Sequence, residues 1–164
     1  MGRLAPGAFV LDLGCGPGDA AAQMQAAGFA VDALDASAQM VEIARSEYGL
    51  DARQGDFADL RGPYDGVWAS FSLLHMPRAV LPMYLYDLAA AMRPDAPFHI
   101  ALKAGNGERR DGLGRLYSYF GLDEVDGWLR DAGFAPGAQL TGEGTGLADQ
   151  SEPWFAIVAH RTGG

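Results

Sequence analysis

Apolar residues run along this chain in short blocks, each closed by a glycine, a proline or a polar residue. Ala8–Leu13 is the first block and predicts a buried strand. Ala20–Ala27 is alanine-rich and predicts a helix that Gly28 stops. Phe29–Leu34 predicts a second strand, ending at Asp35. Ser37 is placed to cap a helix through Tyr48, with Met40, Val41 and Ala44 on one face and Gly49 as its stop. Leu50–Gln54 and Tyr64–Ser70 predict two more strands, and the stretch from about Arg78 to Met92 a third helix. Arg93-Pro94-Asp95 then turns the chain into a strand over Phe98–Lys103. Ala104–Arg115 is glycine-rich and charged and is expected to be a loop. Asp123–Ala132 predicts a fourth helix, stopped by Gly133, and two last strands are expected near Gly137–Thr141 and Trp154–His160, joined by a glycine-rich link. Strands that alternate with helices form parallel βαβ units, so the pattern predicts an α/β, doubly wound sheet. No helix separates the final pair, so the last strand is expected to run antiparallel.

The first strand runs into Gly14-Cys15-Gly16-Pro17-Gly18, a turn that aims the following helix N-terminus at whatever binds there. Glycines at alternate positions leave main chain open that a Cβ would shield. The dinucleotide fingerprint is G-x-G-x-x-G, whereas here the spacing is G-x-G-x-G and Asp19 stands at the last fingerprint position. Asp12 before the turn and Asp19 after it would repel a pyrophosphate and favour a ligand carrying an ammonium or sulfonium charge. A tight turn without a ligand is the alternative.

Composition narrows the setting. The 164 residues suit one domain, and 49% hydrophobic content is enough to fill its core. The net charge of -9 argues against a broad nucleic-acid surface. No apolar run is long enough to cross a bilayer and no signal-peptide pattern stands at the N-terminus, so a cytoplasmic location is expected. A single cysteine excludes an intrachain disulfide, and the three histidines lack metal-ligand spacing, so no metal is expected.

In doubly wound sheets, ligands sit outside the carboxyl ends of the strands. Asp35 ends the second strand, 21 residues after Gly14, where a carboxylate can accept both ribose hydroxyls of an adenosine. Gly55-Asp56-Phe57 follows the third, with Asp56 suited to an adenine amino group and Phe57 to covering the ring. Each has a plainer reading, as a helix-start carboxylate, an N-cap or a core aromatic.

The sequence resembles the class I S-adenosylmethionine-dependent methyltransferases. The resemblance rests on Leu11 to Gly18, Asp35-Ala36-Ser37-Ala38-Gln39-Met40 with Ala44, Gly55-Asp56-Phe57, Tyr64 to Ala69, Ser72-Leu73-Leu74-His75-Met76 and Met92-Arg93-Pro94-Asp95. It implies a Rossmann-like, seven-stranded sheet, mostly parallel with the last strand antiparallel. It also implies S-adenosylmethionine (SAM) as cofactor, with S-adenosylhomocysteine as product. Carried over, the backbone of Gly14, Cys15, Gly16 and Gly18 would pass under the methionine part, with Asp12 facing its ammonium. Asp35 would hold the ribose, Ala36 and Met40 would pack on the adenine, Asp56 and Phe57 would meet its edge and face, and the Ala69 main chain would face the methionine amino group.

Methyl transfer from a sulfonium is an in-line displacement, so the protein mainly aligns the nucleophile and excludes water. The expected acceptor is a small molecule attacking through oxygen or nitrogen, with His75 the candidate acid–base residue and Phe71, Lys103, Arg115 and Tyr117 the candidate acceptor contacts. The alternative for His75 is a loop histidine bonded to backbone. Lys103 to Phe120 concentrates Lys103, Arg109, Arg110 and Arg115 among glycines, followed by aromatics. It reads either as a flap that holds an anionic or aromatic acceptor, or as a solvated loop whose arginines pair with Glu108 and Asp111. Ala69-Ser70-Phe71-Ser72 lacks the Asn/Asp-Pro-Pro-aromatic motif of base-modifying relatives. Relatives usually carry a helical segment before the first strand, whereas only Met1–Gly7 precedes it here. That departure suggests a missing lid segment, an open site, or a cover supplied by a second copy or a partner. A silent SAM-binding module, a methyltransferase acting on protein or nucleic acid, and an NAD-dependent dehydrogenase are the competing readings.

Overall fold

The computed structural model describes residues 4–145 and 151–163. The N-terminal Met1-Gly2-Arg3 and most of the link between the last two strands therefore lie outside the described residues. Strands β1 (Phe9–Leu13), β2 (Ala30–Asp35), β3 (Arg53–Gln54), β4 (Gly66–Ser70), β5 (Pro97–Lys103), β8 (Phe134–Thr145) and β9 (Ser151–Arg161) form one sheet, in the order β3-β2-β1-β4-β5-β9-β8. β1 to β5 pair in parallel, while β9 runs antiparallel to both β5 and β8. The expected doubly wound, seven-stranded sheet is therefore present.

Helices α1 (Asp19–Ala26) and α2 (Ala38–Tyr48) pack on one face around Ala21, Ala33, Val41, Ala44 and Leu50. Helices α3 (Leu81–Ala90) and α4 (Leu122–Asp131) cover the other face, where the larger core joins Leu11, Leu34, Val67, Phe98 and Phe155 to Leu85, Leu88 and Leu129. The alternation within β1 explains the split, because successive side chains of a strand point to opposite faces. Leu11 and Leu13 enter the larger core, and Asp12 between them points to the opposite face.

The third strand keeps only Arg53–Gln54 of the expected Leu50–Gln54, the strand expected near Gly137–Thr141 extends over Phe134–Thr145, and two further differences bear on the site. Helix α3 begins at Leu81 rather than near Arg78, because Pro82 fits only a first turn, where no N–H bond is lost. The expected loop over Ala104–Arg115 contains a strand: β6 (Glu108–Arg110) pairs antiparallel with β7 (Leu116–Ser118) in a separate two-stranded hairpin. Long-range bonds hold it: Arg78 N donates to Glu108 Oε1 at 2.6 Å, and the buried Ser118 hydroxyl donates to the Met76 carbonyl at 2.7 Å.

Beneath β2 lies a polar knot. Asp32, 6% exposed, accepts from Arg53 Nε (2.6 Å) and Nη2 (2.8 Å) and from the buried Tyr64 hydroxyl (2.7 Å). Burial pushes the Asp32 carboxyl up, but the Arg53 and Tyr64 hydrogen bonds outweigh it and hold it below its usual range. Removing the carboxylate takes the acceptor from the Tyr64 hydroxyl proton and leaves the half-buried Arg53 guanidinium only the Asp59 carbonyl. Asp32→Ala is therefore expected to lower stability by about 3 kcal/mol in urea denaturation, and a loss under about 1 kcal/mol would show the knot to be ornamental.

Candidate active site

The strand order reverses between β1 and β4, which opens a crevice at their carboxyl ends. The glycine turn enters it from β1. The Gly14 and Cys15 N–H groups both donate to the Leu34 carbonyl, at 2.7 and 2.9 Å, so the turn is tied to the end of β2. Gly14 has φ 75° and Gly16 φ 54°, in the region where a side chain is strained. A Cβ on Gly14 would lie 2.3 Å from the Ser72 Cβ, whereas a Cβ on Gly16 would meet nothing within 4 Å. Gly18 is packed instead, its Cβ position 2.7 Å from Leu50 Cδ1.

Asp35 joins the turn directly. One carboxylate oxygen accepts from Gly16 N and the other from Ser37 N, each at 2.8 Å, and each oxygen keeps acceptor capacity. Ser37 caps α2 through Met40 N as expected. Ala36 is exposed and Met40 half-buried beside it. Asp56 is exposed and closes a tight turn by accepting from Ala58 N at 2.8 Å, with a free edge left over. Phe57 is half-buried, with its ring 5.7 Å from that of Tyr84. Ala69 is fully buried inside β4, so only its main chain can contribute to a ligand.

Asp12 is 2% exposed, and its Oδ2 has no hydrogen-bond partner among the described residues. Burial, reinforced by the Asp35 charge, pushes its carboxyl from 3.8 up to about 7, against a lowering bond from the Ala21 backbone. The Ser72 hydroxyl, against Gly14, is a second buried orphan. Burial and the carboxylates of Asp12 and Asp35 push the Cys15 thiol up to about 12, so it stays protonated and unreactive.

A second group gathers beyond β4. His75 ends a short 3-10 turn (Leu73–His75), and its Nδ1 lies 2.7 Å from the Leu116 carbonyl. A carbonyl only accepts, so Nδ1 carries the proton and a neutral ring keeps its lone pair on Nε2. The Tyr117 ring is the hub: His75 meets it edge-on at 4.8 Å, and Lys103 Nζ and the Arg115 guanidinium lie 4.7 and 5.8 Å from its centre. Phe71 stands apart, 40% exposed at φ 56°, with its ring edge-on to Trp154 at 6.1 Å. The expected Arg115–Asp111 pair is present, but Glu108 bonds Arg78 N, and Arg109 pairs with Glu152. Sequence reasoning missed Glu152 and Trp154, which reach Lys103 and Phe71 through the β5–β9 register, and gave no role to Ser72, which lies just after β4.

The methyltransferase-domain family matches residues 10–95, from β1 to the turn before β5, which is more than half of the chain. The chain belongs to the class I S-adenosylmethionine-dependent methyltransferases. Among relatives, it is 33% identical over 154 residues to the O-methyltransferase cnsE of Penicillium expansum, covering 80% of this chain and 54% of that protein. The chain thus spans about half the length of this curated relative. A SAM-dependent methyltransferase from Methanosarcina mazei shares the fold with a TM-score of 0.80 at 15% identity, covering 98% of this chain and 95% of the other. A Burkholderia thailandensis 1,6-didemethyltoxoflavin-N1-methyltransferase, solved with that compound and S-adenosylhomocysteine, aligns with a TM-score of 0.75 at 26% identity, over 95% of this chain and 72% of the other. As in a methyltransferase, the crevice suits SAM on its own features: an orphaned buried carboxylate oxygen for a cation, and open space over Gly16 that a Cβ would fill.

Proposed function

We propose that the chain transfers a methyl group from SAM to an oxygen or nitrogen of a small-molecule acceptor by in-line displacement, with residues 1–164 acting as one methyltransferase domain in the cytoplasm. The observation that carries this reading is the buried, unpartnered Oδ2 of Asp12, two residues before the glycine turn. When bound, SAM supplies an electrophilic methyl group on a positively charged sulfur.

The chain's own residues do the rest. Asp12 would receive the ammonium, and the main chain of Gly14, Cys15, Gly16, Gly18 and Ala69 would frame the methionine part. Asp35 would accept the ribose hydroxyls with the lone pairs that Gly16 and Ser37 leave over. Ala36, Met40 and Phe57 would flank the adenine, and Asp56 would take its amino group. Phe71, Lys103, Arg115 and Tyr117 would hold the acceptor, and His75 Nε2 would take its proton as the new bond forms. The two relatives named as an O-methyltransferase and an N1-methyltransferase support an oxygen or nitrogen acceptor.

Calorimetric titration with SAM, S-adenosylhomocysteine and NAD tests the cofactor, and turnover against phenols and amines tests the chemistry. Binding of the two adenosyl ligands is expected. Tight NAD binding without them would overturn the reading, and binding without turnover on any acceptor would favour a silent module. His75→Ala is expected to cut turnover by about tenfold or more while shifting S-adenosylhomocysteine affinity less than about twofold. Equal turnover in the variant would remove His75 from the chemistry.

A further inference from the structure

Where β5 ends and the hairpin begins, Lys103, Arg109, Arg110 and Arg115 line a cavity of about 550 Å³. Its carboxylates are Asp111 and Glu152. Four cations less two carboxylates leave a charge of +2, in a chain whose net charge is -9. Three of the cations are engaged. Arg115 grips Asp111 at 2.6 to 2.7 Å, and Glu152 binds Lys103 through one oxygen and Arg109 through the other. Tyr119 Oη donates to the Arg109-facing oxygen at 2.9 Å. Arg110 meets only a neutral acceptor among the described residues, the Gly114 carbonyl at 2.7 Å.

Glu152 shows what this cradle holds. Burial pushes its carboxyl up, yet the Lys103 and Tyr119 hydrogen bonds outweigh that and keep it charged. Lysine, arginine and tyrosine hydroxyl donors already converge on an oxyanion there. The open guanidinium of Arg110 adds a fork that matches carboxylate or phosphate geometry. A cationic guest would meet the surplus of +2.

We propose that this cavity recognises an anionic group on the methyl acceptor, a carboxylate or a phosphate, with Arg110 as its receiving cation and Glu152 as an intramolecular competitor for Lys103 and Arg109. The proposal rests on the methyl-transfer reading and names the chemical class of its acceptor. Tyr117 lines the cavity and its ring meets His75 edge-on at 4.8 Å, which links the cavity to the residue proposed to take the acceptor's proton.

The test is a titration of the protein, saturated with S-adenosylhomocysteine, with benzoate, phenyl phosphate and benzamide, followed by NMR at the backbone amides of residues 108–118. At least one anion is expected to bind where neutral benzamide does not, and the stronger of the two separates a carboxylate from a phosphate guest. Arg110→Gln is expected to weaken that anion by about fivefold or more, and Glu152→Gln to strengthen it by about threefold or more. A gain on losing Glu152 is a result that a loosened hairpin would not give. Benzamide binding as tightly as both anions, no binding of either anion, or an Arg110→Gln variant with parental anion affinity would overturn the proposal. Anion affinity that is unchanged or weaker in Glu152→Gln would overturn the competitor role. Failure of S-adenosylhomocysteine to bind the parent would instead overturn the methyl-transfer reading.

Discussion

In mildly alkaline buffer, Asp12→Asn is expected to make the cofactor-free protein more stable while it binds SAM at least about 100-fold more weakly. The opposite signs follow from one buried oxygen. In the unfolded chain the Asp12 carboxyl ionises near 3.8, and in the folded chain burial delays this to about 7. Between those values the unfolded state loses the proton and the folded state keeps it. Stability linked to Asp12 is thus full below 3.8, declines as pH rises toward 7, and stays lost above it. The shift corresponds to about 4 kcal/mol at about 1.4 kcal/mol per pH unit, an upper bound on what an uncharged, nearly isosteric asparagine restores.

Binding runs the other way. A cationic ammonium beside Oδ2 would stabilise the ionised carboxylate, so SAM affinity is expected to rise with pH up to about 7 and level off above it, with proton release on binding at lower pH. Asp12→Asn should flatten that profile. Urea denaturation and calorimetry across pH read both effects. An asparagine variant that loses stability as well as affinity would make Asp12 a structural carboxylate rather than a ligand for a cation.

The cofactor side of this site was legible because its chemistry is local in sequence. Asp12, the glycine turn and Asp35 lie within one strand-turn-helix-strand unit, so adjacency in the chain becomes adjacency in space. Even there, the sequence offered Asp35 as a ribose acceptor or as a helix-start carboxylate, while the structure, besides the bond from Ser37, adds one from Gly16 that closes the turn. The acceptor side was harder. Glu108–Arg110 is exposed and charged throughout, with no apolar alternation to mark a strand. What makes it one lies elsewhere, in Arg78, Met76 and the His75–Leu116 bond. Glu152 reaches Lys103 only because β9 pairs with β5 in antiparallel register, Trp154 opposite Lys103. No local signal carries a pairing of 49 residues' separation.

Two neighbouring glycine substitutions are expected to fail in different ways. Gly14→Ala should lower stability by about 3 kcal/mol or more and abolish measurable SAM binding. The left-handed backbone at φ 75° alone costs an alanine about 1–2 kcal/mol. The larger penalty is the new methyl, 2.3 Å from the Ser72 Cβ and 3.5 Å from its Cα, so the backbone after β4 must yield. That movement separates the turn from the Leu34 carbonyl that anchors it. Gly16→Ala meets nothing within 4 Å, so the cofactor-free protein should lose only about 1 kcal/mol, from φ 54°. Yet the methyl would project into the space proposed for the methionine part, and SAM affinity should fall by about tenfold to 100-fold. Denaturation and calorimetry on the two variants separate the roles. Full SAM affinity in Gly16→Ala would move the cofactor off the glycine turn, and parental stability in Gly14→Ala would mean that Ser72 does not press against it.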